Sequence, residues 1–273
     1  MEAKALQQST RGHTARPVQL VLVRANGPLF YSIAAATLLE ADAAPHAQRL
    51  LNCFRGNAVF CAWIETEWLP RKLARARELR EFVENTWPEL DWTAVREEYD
   101  ALASRRGAAG PTAAHEVLAR CVAAAQSGVF YRCLARWSDD RRLRDMARRY
   151  AHEEALSFAH FRSAYDLQPR AHRLGFVTAW RAAFACVRAT RDTHVARAFS
   201  ALCAQCGPNV AFNVLGYDEF VARMRAVVER YGELGAAERI ILGSWRARSR
   251  TMKAEPNRPA APAWFKPLFP AAA

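Results

Sequence analysis

Apolar residues recur at three- and four-residue intervals along nearly the whole chain, the period of helices buried on one face. Ile33 to Ala43 is alanine-rich and helix-competent. Pro45 opens a helix over about 46–67 that carries Leu50, Cys53, Phe54, Asn57, Phe60, Cys61 and Ile64. Pro70 suits the first turn of a helix over about 70–85, which Asn85-Thr86-Trp87-Pro88 ends. Asp91 or Thr93 can cap a short helix through Ser104, and Gly107 to Gly110 forms a loop. Pro111-Thr112 begins a long helix to about Trp137. Ser138-Asp139-Asp140 stops it and restarts a second over about 140–166, with Ser138 or Asp139 as the cap, so the two make an antiparallel hairpin. Further helices are predicted over 173–202, Tyr217 to Tyr231 and Ala236 to Lys253. Residues 1–16 and 254–273 read as tails. Pro17 to Arg24 is the one β-branched run, an extended segment or a strap over the core. The class is all-α, with one domain over 17–253.

One residue breaks its stripe. Ala147, Tyr150, Ala151, Glu154, Phe158 and Phe161 share a helix face, so Glu154 faces the core. An inward carboxylate costs several kcal/mol unless it is paired or binds metal. It either meets one of the many arginines, sits at the rim of the core, or ligates.

The text around it bears on the choice. Ser127-Gly128-Val129-Phe130-Tyr131 runs into Leu134-Ala135, the turn Ser138-Asp139-Asp140, and then His152-Glu153-Glu154. This stretch resembles the second helix pair of the ferritin-like superfamily, which includes rubrerythrins, acyl-carrier-protein desaturases and small bacterial ferritin-like proteins. The resemblance implies a four-helix bundle, built here from about 46–85 and 111–166, with extra helices from 173 onward. It also implies a di-iron carboxylate centre, in which two helices each supply a Glu and two supply a Glu-x-x-His pair. Glu154 takes the place of the second motif's Glu, but Ser157 stands where its His belongs. The partner Glu falls on Cys121, or on Ala124 with a longer turn. That half-site is therefore stripped. For the first half-site the candidates are Glu81 and Glu84, for which the stepped-back partner is Gln48, or Glu65 with Glu98. Glu78, Glu81 and Glu84 also suit a solvated face with Arg75, Arg77 and Arg80, and that is the favoured reading of them. A displaced site could gather Glu153, Ser157 and His160 with His115, Glu116, Asp192 or His194.

Composition changes this picture little. The formal net charge is +12, and 35 of the 39 basic residues are Arg. With so many alanines, that bias looks like a GC-rich bacterial genome rather than a nucleic-acid surface, which mixes Lys and Arg in clusters. The densest basic patch is Trp245 to Arg250 with Lys253. Seven cysteines, an odd number, without an apolar leader over residues 1–16, predict reduced thiols and a cytoplasmic protein. The Cys203/Cys206 pair reads as coincidence at a helix end. No membrane span is predicted, and a homodimer is open. The expectation is a ferritin-like protein with a lost or reduced metal site, serving as scaffold, partner or small-ligand binder. Iron or another divalent metal is the one cofactor implied, and the stripped positions predict none. One alternative is an active non-haem oxidoreductase using Glu154 with Glu81, Glu84, His160 or His115. Another is an arginine-rich nucleic-acid binder.

Overall fold

The computed structural model describes residues 17–103, 112–169, 172–207, 210–241 and 243. Among these, all regular structure is helical. The order is α1 (Pro17–Arg24), α2 (Gly27–Ala41), α3 (Ala43–Cys53), α4 (Ala58–Trp63), α5 (Leu69–Thr86), α6 (Trp92–Ala103), α7 (Ala113–Trp137), α8 (Arg141–Leu167), α9 (Phe176–Ala189), α10 (Ala196–Gln205) and α11 (Tyr217–Arg230). A π-helical turn, Ile64–Trp68, joins α4 to α5, and a second, Thr190–Val195, joins α9 to α10. Among the described residues no helix is long and apolar enough to cross a membrane. Both expected tails, and the whole of the basic patch at 245–253, lie outside the described residues.

Local chemistry explains most boundaries. The Asp91 side chain accepts hydrogen bonds from the Thr93 and Ala94 amides, and Thr112 accepts from His115 N, so both act as N-caps. The cap of α8 is Asp140, which accepts from Leu143 N at 2.7 Å, rather than Ser138 or Asp139. Asn57 caps α4 and ends the run expected to continue from 46 to 67, so that run is two helices with a turn between them. The β-branched run at 17–24 is helical, not extended.

Two tightly packed helix pairs form the bundle, α2 with α5 and α7 with α8. The partner of α5 is therefore α2, not the segment over 46–67. The reason is composition. Leu29, Phe30, Tyr31, Ile33, Ala34 and Leu38 bury α2 on nearly every side, and a helix apolar all round belongs at the centre. α10 packs on α2 and α6, and α9 packs on α7.

The apolar interior falls into two clusters. One gathers Phe30, Tyr31, Leu79, Trp87, Tyr131 and Tyr150; the other gathers Leu50, Phe60, Trp63, Val117, Cys121 and Phe161. On α8 the change from one cluster to the other falls between Ala151 and Phe158, around Glu154, and on α5 it falls between Leu69 and Leu79, around Lys72 and Arg75. Glu40 follows Leu38, where the first cluster ends on α2, and on α7 the two clusters interleave from Val129 to Leu134, just past Gly128.

Candidate functional site

That boundary layer is an ionic lattice. The Arg75 guanidinium bonds Glu154 Oε1 through Nη1, lies 3.4 Å from Glu40 Oε1, and places Nε 3.2 Å from Glu153 Oε2. Lys72 Nζ donates to Glu154 Oε1 at 2.7 Å and lies 2.9 Å from Glu40 Oε2. Tyr131 OH donates to Glu40 Oε1 at 2.7 Å. The side chains of Glu154 and Arg75 are 1% and 2% exposed, so water screens this network little.

Burial alone would raise the Glu40 pKa, but Arg75, Lys72 and the Tyr131 hydroxyl outweigh it and hold the carboxyl below its ordinary range. Burial likewise opposes the Arg75 charge, and Glu40 and Glu154 reverse the effect and raise its pKa. For Tyr131, burial and then the Glu40 charge raise the pKa, so the phenol stays protonated and remains a donor. Glu153 is raised by burial despite Arg75 beside it. Two cations thus fill the space between two inward carboxylates from opposite helix pairs.

The structure separates most of the other residues expected at a metal site. Ser157 is buried, but its hydroxyl donates to Glu153 O at 3.0 Å within its own helix. His160 is exposed and stacks on Trp63, with ring centroids 4.5 Å apart. Glu81 and Glu84 stay outside the lattice, paired with Arg142 and Arg80. Glu78 meets Arg149 and the Tyr150 hydroxyl. His115 contacts its own cap residue, Thr112, at 2.7 Å.

The residue facing Glu154 across the hairpin is Gly128, where an added Cβ would lie 3.6 Å from the Glu154 Cβ. Neither Cys121 nor Ala124 holds that place. A turn as short as 138–140 sets Cys121 about two helical turns away, or ~10 Å along the axis. Cys121 is buried, and burial pushes its thiol up to about 12. Cys203 and Cys206 are free thiols at the end of α10, with Cys206 as its cap residue.

Sequence reasoning missed Glu40, Lys72, Arg75 and Tyr131, although signals existed. Glu40 closes an otherwise uncharged run from Ala25 to Leu39, and Lys72 is one of four lysines in an arginine-dominated chain. Arg75 continues the buried stripe Ala76, Leu79, Phe82 and Val83.

These residues do not fit a divalent metal. Lys72 and Arg75 stand at a three-residue spacing on α5, where a Glu-x-x-His pair would supply two donors. They bring two fixed positive charges instead, and a guanidinium cannot be deprotonated to ligate. Among the described residues, no three His, Cys, Asp or Glu side chains converge on a metal-holding position.

Beside the lattice lies a cavity of about 190 Å³, lined by Glu40, Lys72, Glu154, His46, Arg120 and Ser127, with Trp68, Phe161 and several alanines as its apolar wall. Both π-helical turns reach it, one through Trp68 and the other through Thr190 and His194. Such turns occur frequently at functional sites. Burial, then Arg120, Arg49, His194 and Lys72, drive the His46 pKa far down, so its ring is neutral.

No protein-family model, no curated protein and no solved structure matches this chain.

Proposed function

We propose that this chain is a ferritin-like helical bundle whose metal centre has been replaced by a salt-bridge lattice, and that it acts as a small-ligand binder through the cavity beside that lattice. One observation carries the reading. Glu40 and Glu154 stand on opposite helix pairs, as the two half-sites of a di-iron bundle would, and Lys72 and Arg75 occupy the space between them. The cations do the electrostatic work a metal would otherwise do, pairing with two buried carboxylates. They also remove what O₂ chemistry would require, namely open coordination positions beside anionic ligands. The two π-helical turns at the cavity are what a ligand site adds beyond a scaffold.

Iron analysis of anaerobically purified full-length protein tests the reading. The expected result is trace metal and an unfolding temperature that a chelator leaves unchanged. Metal near about two irons per chain would overturn it.

A further inference from the structure

The cavity beside the lattice has more hydrogen-bond donors than its own side chains use. Lys72 carries three N–H donors, and Glu40 and Glu154 engage two of them. Among the described residues the ionic partner of Arg120 is Glu116, at 3.6 Å from Nε, beyond hydrogen-bond distance. The same Glu116 carboxylate also faces Arg49 at 3.5 Å, so two guanidiniums share one acid. The Ser127 side chain, partly buried, also lines the cavity. Trp68 Nε1 is buried without a partner.

The acids on the cavity wall, Glu40, Asp42 and Glu154, do not offset this excess, because Lys72 and Arg75 face Glu40 and Glu154, and Arg96 and Arg197 face Asp42. Burial, with Arg49 alongside, disfavours the Arg120 charge more than Glu116 favours it. A buried charge left short of partners is costly until an opposite charge arrives. The apolar part of the wall includes Leu39, Trp68, Ala123, Ala124 and Phe161.

We propose that the cavity binds a small organic monocarboxylate, its carboxylate held by Arg120, Ser127 and the remaining Lys72 donor, and its apolar body against Trp68, Phe161 and the alanines. The inference rests on reading the chain as a small-ligand binder and names the class of ligand.

Titration calorimetry of the full chain at constant ionic strength, with propionate, benzoate and inorganic phosphate as probes, tests it. At least one carboxylate binds, and more tightly than phosphate. Arg120→Gln weakens that binding about tenfold or more, as expected for losing a charge-assisted contact. Ala123→Leu abolishes it with the guanidinium intact, by filling the cavity. Arg142→Gln, on the outer surface, leaves it unchanged. Absence of binding by both carboxylates, an unchanged affinity in Arg120→Gln, or tighter binding of phosphate would each overturn the proposal. A metal-free chain that binds neither carboxylate defeats this inference and leaves the replaced centre standing. An iron-loaded chain defeats the replaced centre itself.

Discussion

Glu154 and Glu81 are both acids with an arginine partner from another helix, yet they sit in opposite physical regimes. Glu81 meets Arg142 at 3.1 Å with side chains 63% and 54% exposed, where water and salt screen the pair and both side chains lose rotamer freedom. Glu154 meets Arg75 where neither side chain is more than 2% exposed, and each charge depends on a few buried partners, with Lys72 also on Glu154, and Glu40 and Glu153 also on Arg75. Similar chemistry therefore yields a near-neutral surface contact in one place and an indispensable one in the other. An acid's identity says little about its role; the helix face it occupies and the cation opposite decide.

The largest expected effect comes from breaking the interior pair. Arg75→Ala leaves Glu40 and Glu154 without their shared guanidinium and costs about 3–5 kcal/mol in a urea unfolding series. A loss below about 1 kcal/mol would place the lattice in the same class as the surface pairs. Next is His46. Its neutral ring does not take up a proton on acidification, whereas the unfolded chain's histidine does below about pH 6.5, so the unfolded state binds more protons and stability falls with pH. The expected slope is up to about 1.4 kcal/mol per pH unit between roughly pH 6.5 and 5, and His46→Gln removes it. Glu40, held below its ordinary range, adds a loss in the same direction only as pH falls below about 4.5.

Gly128→Ala sharpens the comparison in the opposite direction. The new methyl group would sit 3.6 Å from the Glu154 Cβ, an ordinary contact, in a helix interior where Ala is favoured over Gly. A gain of about 0.5–1 kcal/mol in denaturant unfolding is expected. A loss would show that the lattice needs the space beside Gly128. The smallest effect belongs to the surface: Arg142→Ala is expected to change stability by about 0.2–1 kcal/mol, and less at high salt.

Much of this was legible from the residues. Asp91, Thr112 and the turn at 138–140 announced their helix boundaries because capping chemistry is local. Glu154 announced itself because an acid interrupts a clean apolar stripe. The extent of α2 was not legible, because a helix buried on all sides has no polar face to give it a period. Its partnership with α5 was hidden for the same reason, and with it the role of Glu40. Arg75 was masked by its neighbours: Arg71, Arg77 and Arg80 on the same helix are exposed, and arginine spacing does not say which one turns inward. Gly128 was missed because the family interval pointed to Cys121, whereas the length of the 138–140 turn fixes which residues stand level.

The central claim is that fixed side-chain cations, not a metal, balance the buried carboxylates. Its most direct test is anaerobic denaturant unfolding of the full chain, with excess Fe²⁺ in one series and a chelator in the other. A ligand that binds only the native state stabilises it by about 2.7 kcal/mol at a hundredfold excess over its Kd. Coincident unfolding curves are predicted. A curve shifted to higher denaturant with Fe²⁺, by an amount that grows with Fe²⁺ concentration, would contradict the claim.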